Sequence, residues 1–153
     1  SHICHAKRLF AYGTGETQHA VTQMIKRMFM NAKRFFVTLY GKTELMMTIE
    51  DLSEEDMVIM ISLSGENELA VQAAKKLKAR GVYTLSITRL SDNTLARLCS
   101  KNLYIQTDVL MTKAGVTFET ISPYFNVAEL LCIRYLVYMK KQEEKKKEYR
   151  TEC

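Results

Sequence analysis

Asp56-Met-Val-Ile-Met-Ile-Ser-Leu-Ser-Gly-Glu-Asn67 is the stretch whose reading decides the fold. Residues 56–63 form an almost unbroken apolar run rather than an alternation of apolar and polar positions. A strand covered on both faces has that pattern, as in a parallel sheet flanked by helices. Ser64-Gly65 ends the run, and the spacing predicts a helix over 67–80 with Leu69, Ala70, Ala73, Ala74 and Leu77 on one face. Gly81 then stands at its C′ position.

The same alternation continues outward in both directions. Upstream, residues 8–12 read as a strand running into Gly13-Thr14-Gly15, and residues 17–32 as an amphipathic helix with Ala20, Val21, Met24, Ile25, Met28 and Phe29 on one face. Residues 35–39 read as a second strand and 43–50 as a short helix. Downstream, strands are expected at 82–88 and 103–105, a short helix at 94–100, and a strongly apolar helix at 127–138. Residues 106–117 are polar, hold Gly115, and show no clear periodicity. Strands alternating with helices imply right-handed crossovers, and hence a flavodoxin-like three-layer α/β/α sandwich with a five-stranded parallel sheet. The loops to inspect are those at the carboxyl ends of the strands, after Tyr12, Leu63 and Thr88.

The 153 residues are 47% hydrophobic and 25% charged, enough for one domain with a real core. The expected boundaries are a single domain over 1–153, its core at about 7–138 and a charged helix end or tail at 139–153. No apolar run reaches the roughly 18 residues of a membrane span, and the N-terminus lacks the apolar centre of a signal peptide. Cys4, Cys99, Cys132 and Cys153 lie far apart and form no C-x-x-C pair, so neither a metal site nor a disulfide framework is indicated. A reducing cytoplasm is expected. Of the net charge of +5, the tail, where Lys140, Lys141, Lys145, Lys146, Lys147 and Arg150 face Glu143, Glu144, Glu148 and Glu152, carries +2, and the remaining +3 is spread over the rest of the chain. Without a dense basic stripe, direct contact with nucleic acid is not expected of these residues.

The first loop, Gly13-Thr-Gly-Glu-Thr-Gln18, begins like a dinucleotide fingerprint but has Gln18 in place of the third glycine. The next strand ends Leu39-Tyr40-Gly41 without an acidic residue for a ribose, so no nicotinamide cofactor is expected. What remains is a glycine turn with free amides and the Thr17 hydroxyl at a helix start, which attracts an anion. Equally, Gly13 and Gly15 could serve only the turn, with Thr17 as a cap. In the second loop Ser62 and Ser64 lie two apart, so both hydroxyls can turn toward one spot as the chain leaves the strand, and Gly65 lets the backbone approach. Two hydroxyls, several N–H groups and a helix dipole suit a phosphate without any lysine. The plain alternative is a helix cap made by Ser64, with Asn67 in the first turn; one cap accounts for one serine, not two. Neither serine has the glycines of a nucleophile elbow.

These residues carry a family resemblance. Gly13-Thr-Gly-Glu-Thr17 after the first strand, Ser62-Leu-Ser-Gly-Glu66 after the third, a helix ending Arg80-Gly81, and a strand ending Ile87-Thr88 with Ser91 and Leu95 following together resemble the SIS (sugar isomerase) domain, from about residue 7 to 138. The resemblance implies a sugar phosphate as ligand, held by Ser62, Ser64, Gly65 and Asn67, with Gly15, Glu16 and Thr17 completing the cradle and Glu119 at its edge. Asn67 stands where the family usually has threonine, and its amide can donate there instead. Glu16 stands where a small or hydroxyl residue is common, so its backbone N–H is the expected contact.

Such domains occur as isomerases and as effector domains of regulators. An isomerase needs a positioned general base, for which Glu119 and His19 are the candidates. The segment Thr117-Phe-Glu-Thr-Ile-Ser-Pro123 before an apolar helix is most similar to the C-terminal half of RpiR-type transcriptional regulators, which place a helix-turn-helix domain first. Here the first strand begins near residue 8, so that domain is expected to be absent from this chain, with Ser1-His2 a tag remnant and DNA contacted only through the missing part. Phosphosugar binding would then set the spacing of two DNA-binding heads. The apolar helix at 127–138 carries more hydrophobic positions than one buried stripe uses, which points to a homodimer or higher homo-oligomer.

Overall fold

A computed structural model of the chain describes residues 2–151, with side-chain surroundings for residues 2–148. Five strands, β1 (Leu9–Gly13), β2 (Phe36–Leu39), β3 (Met57–Ile61), β4 (Tyr83–Arg89) and β5 (Lys101–Ile105), form a parallel sheet in the order β2-β1-β3-β4-β5. Every residue of β1 and β3 is buried, which explains why β3 reads as an unbroken apolar run. One face is covered by α1 (His2–His5), α2 (Glu16–Met30) and α6 (Ser122–Thr151), packed on Leu9, Ala11, Ile59, Ile61 and Ile87. The other is covered by α3 (Gly41–Asp51), α4 (Glu68–Ala79) and α5 (Thr94–Leu98), packed on Phe10, Tyr12, Val58 and Met60. Adjacent strand positions thus feed two separate cores, as a period of two requires.

The helices form where the 3.6-residue spacing allows them to bury a stripe. Val21, Ile25 and Phe29 are fully buried on α2, and the Phe29 ring meets Phe36 edge-on at 5.1 Å and Tyr135 at 5.5 Å. On α4, Ala70, Ala73, Ala74 and Leu77 do the same, and Gly81 just beyond has φ +72, the left-handed conformation that ends helices. At the amino ends of the strands, Arg8 donates from Nε and Nη2 to both carboxylate oxygens of the buried Asp56, each at 2.9 Å.

Three segments differ from the sequence reading. Residues 106–117 are not aperiodic loop: β6 (Val109–Met111) pairs antiparallel with β7 (Thr117–Glu119), Leu110 opposite Phe118. Val109, Leu110, Met111 and Phe118 are all exposed, so no face selects an alternating pattern for the sequence to display. A helical turn, α1, precedes the first strand, burying Ile3 and stacking the His2 ring on Tyr83 at 3.6 Å. The last helix, Ser122–Thr151, begins five residues before 127 and continues into the charged helix end expected from 139. Tyr124, Ala128, Cys132 and Tyr135 form its buried stripe, while Leu130, Ile133, Leu136 and Val137 remain open to solvent.

Candidate functional site

In this strand order the switch point lies between β1 and β3, because α2 leaves β1 toward one face of the sheet and α4 leaves β3 toward the other. The loops after these two strands are therefore side by side. Thr14 N–H donates to the Ile61 carbonyl at 3.1 Å, fastening one loop to the end of the other strand.

The first loop is a close packing of strand against helix. A Cβ on Gly13 would meet His19 N at 2.6 Å, so only glycine lets α2 begin this near β1. Gly15 is the N-cap residue, in extended conformation, and no side chain caps the helix. Thr17 lies inside the first turn rather than at the cap, which removes the capping alternative for it. The amides of Glu16, Thr17 and Gln18 thus start a helix that has no side-chain cap hydrogen bond, with the Glu16 carboxylate in its first turn. Gln18, at the place of the missing third glycine, donates from Nε2 to the Tyr124 hydroxyl at 3.0 Å and ties this turn to the start of α6.

The second loop is folded around its two serines. Ser62 is buried and its Oγ accepts from Gly65 N–H at 3.2 Å. Ser64 is exposed and its Oγ accepts from Glu66 N–H at 3.1 Å. Each hydroxyl uses an acceptor lone pair in the loop and keeps its own O–H to donate. Asn67, not Ser64, is the N-cap of α4: its Oδ1 accepts from Ala70 N–H at 3.0 Å, which leaves the two N–H donors of its amide. Gly65 has φ +68 and the Asn93 side chain packs where its Cβ would be.

A cleft of about 330 Å³ opens beside the first loop, lined by Tyr12, Thr14, Gly15, Glu16, Tyr40 and, from the first turn of α4, Leu69. The sequence-chosen residues are therefore divided. Gly15 and Glu16 line this cleft, while Ser62, Ser64, Gly65 and Asn67 build the neighbouring loop, linked to it through Thr14 and the start of α4.

The two candidate bases are not brought together. Glu119 at the end of β7 accepts from Thr107 Oγ1 and is ion-paired with Arg89 Nη2 at 2.9 Å. The Thr107 hydrogen bond chiefly, and Arg89 with it, hold its carboxyl below the usual carboxylate range against the opposing effect of burial. His19 instead lies against the Tyr40 ring at 4.6 Å, beyond β2, with its Nε2 3.2 Å from Gln23 Nε2. Sequence reasoning gave Tyr40 no role at the site; the one available signal was its position directly after the carboxyl end of β2. Among the described residues no three His, Cys, Asp or Glu side chains gather as a metal ion would need, and no helix is long and apolar enough to cross a membrane.

Comparisons with known proteins give the family and the fold. A family model described as SIS domain matches residues 2–131. The HTH-type transcriptional regulator GlvR of Bacillus subtilis is 33% identical over 140 residues, covering 92% of this chain and 54% of that protein. The chain thus spans about half the length of this curated relative. Among solved structures, the sugar isomerase domain of an RpiR transcription factor from Sphaerobacter thermophilus superposes with a TM-score of 0.78 at 22% identity, covering 92% of this chain and 75% of that one. The NanR protein of Vibrio vulnificus, complexed with ManNAc-6P, superposes with a TM-score of 0.77 at 14% identity over 94% of this chain and 53% of that one. At these identities the structural likeness carries the fold.

Proposed function

The chain belongs to the SIS domain family, and on that premise we propose that it is the phosphosugar-binding effector domain of a transcriptional regulator. Residues 1–153 act as one such domain, and a separate helix-turn-helix domain outside this sequence contacts DNA. The ligand phosphate sits at the switch point between the N-termini of α2 and α4. It takes hydrogen bonds from the Ser64 hydroxyl, the Asn67 amide and the loop amides around Gly65, with Ser62 shaping the loop and possessing an O–H to contribute. The amides of Gly15, Glu16 and Thr17 face it from the other side, and the sugar extends into the cleft beside Tyr40, with Glu119 at the opposite rim. The protein works in the cytoplasm as a homodimer, through the open face of α6, so that ligand occupancy sets the arrangement of two DNA-binding heads.

The observation that carries this reading is the pairing of two strand-to-helix loops at the switch point, one with an uncapped helix start and one with two serine hydroxyls free to donate. The regulator GlvR and the ManNAc-6P complex of NanR support it by likeness. An isomerase reading is less well served, since Glu119 is occupied by Arg89 and Thr107 and His19 lies against Tyr40. Isothermal titration of hexose phosphates and aminosugar phosphates into the domain and into its Ser64→Ala variant tests the proposal. Binding that Ser64→Ala weakens supports it, and binding indifferent to Ser64 overturns the site.

A further inference from the structure

We propose that Glu66 is a positioning residue for the anion-binding loop: its carboxylate, seated on the first turn of α5, clamps the Ser64–Glu66 backbone into the conformation that presents its donors. The proposal rests on the site described above and adds a residue that does not touch the ligand.

A carboxylate two residues from Ser64 is an electrostatic liability beside an anion, since like charges repel at this range. The structure shows where that charge goes. Glu66 Oε1 accepts from Thr94 N–H at 2.8 Å and Oε2 accepts from the Thr94 hydroxyl at 2.7 Å. Arg97 Nη2 donates to the same hydroxyl at 3.1 Å and its Nη1 pairs with Asp92 at 2.5 Å, so a cation backs the arrangement. The Thr94 hydrogen bonds hold the Glu66 carboxyl below its ordinary range, so it is charged at neutral pH.

Two further contacts join the same pieces. Leu95 N–H donates to the Gly65 carbonyl at 2.9 Å, and the buried Asn93 side chain occupies the space beside the Gly65 Cα. Residues 93, 94 and 95 therefore each hold one part of the 65–66 turn. Gly65 holds a left-handed φ, and glycine, without a Cβ, can leave that conformation readily when nothing clamps the turn. The Gly65 carbonyl lies in the same peptide plane as the Glu66 N–H that meets Ser64 Oγ, so fixing that carbonyl and the Glu66 side chain sets this plane and limits the rotation of the neighbouring peptide whose Gly65 N–H meets Ser62 Oγ. Affinity gained this way comes from order present before the ligand arrives.

The sign of one substitution separates a clamp from a bystander. If Glu66 only repels the ligand, removing its charge tightens anion binding; if it clamps the loop, removing it weakens binding. The experiment uses the whole chain as wild type, Glu66→Ala and Glu66→Gln, with amide hydrogen exchange followed by NMR and inorganic phosphate as the titrant. The expected result for Glu66→Ala is faster exchange at Gly65 and Leu95 and about tenfold weaker phosphate binding. Glu66→Gln, which keeps an acceptor oxygen for Thr94, should recover part of both. Unchanged exchange at Gly65 and Leu95, or phosphate binding as tight as or tighter than wild type, would overturn the clamp. A wild-type chain that takes up no phosphate would instead count against the anion site itself, and the exchange rates alone would then decide the clamp.

Discussion

Asn93 packs its side-chain amide into the space that a Cβ on Gly65 would fill, and from there donates to Thr88 Oγ1 at 2.9 Å and accepts from Ala96 N–H at 2.8 Å. A buried cap of α5 thus shapes the serine loop from behind. Gly65→Ala faces both a left-handed φ of +68 and this contact. It should cost about 2–5 kcal/mol. Calorimetry should read a Tm lower by about 5–15 °C. A Tm within two degrees or so of wild type would mean that Asn93 yields freely.

The two serines should separate when replaced singly. Ser62→Ala strips the buried Gly65 N–H of its acceptor and should destabilise the domain by about 1–3 kcal/mol. Ser64→Ala, at an exposed position, should change stability by no more than about 0.5 kcal/mol. It should nevertheless weaken phosphosugar binding about ten- to a hundredfold, the loss of a charge-assisted hydrogen bond. Thermal denaturation and calorimetric titration of both variants check the division; equal behaviour of the two would contradict it.

How much of this was legible in the sequence depends on burial. β3 announced itself because all five of its residues are enclosed, and α4 because its alanines and Leu77 repeat at helical spacing. The β6–β7 hairpin did not, because Val109, Leu110 and Met111 are exposed together and no core imposes an alternation on them. At the site, the serines and glycines could be picked from their place after strands. That Asn67 rather than Ser64 caps α4 depends on where each hydroxyl and amide turns, which spacing leaves undetermined. Contacts such as Gln18 with Tyr124, 106 residues apart, have no local signature at all.

Acid should loosen the domain in a way that one variant reports. Burial pushes the Asp56 carboxyl up, but the hydrogen bonds from Arg8 and Ser53 more than offset it, and the net direction is down. A carboxyl lowered in the folded state contributes stability above its unfolded pKa, about 3.9, and loses that contribution as pH falls through the folded value. Arg8→Met should therefore lower stability at pH 7, where it leaves the buried Asp56 carboxylate without its ion-pair partner. The difference from wild type should shrink below about pH 4. Denaturant melts at pH 7 and at acid pH measure it; a difference that grows with acid would contradict the assignment.

Self-association through α6 should be sensitive to charge on its open face. Leu130, Ile133, Leu136 and Val137 are about half exposed and belong to neither buried core cluster, so Ile133→Glu with Leu136→Lys should leave the fold intact and change Tm little. Sedimentation velocity at micromolar concentrations should show a dimer for wild type and a monomer for the double variant. A wild-type monomer at these concentrations would refute this role for the face.

The ligand class is tested most directly by a thermal-shift series of hexose, pentose and aminosugar phosphates, each beside its unphosphorylated parent. A ligand at about 100 times its Kd adds roughly 2.7 kcal/mol, or about 5–11 °C for a domain of this size. The expected result is such a shift from at least one phosphosugar and none from its parent sugar, with the shift lost in Ser64→Ala. Equal shifts from a phosphosugar and its parent, or none across the series, would contradict a phosphate cradle at the β1–β3 switch point.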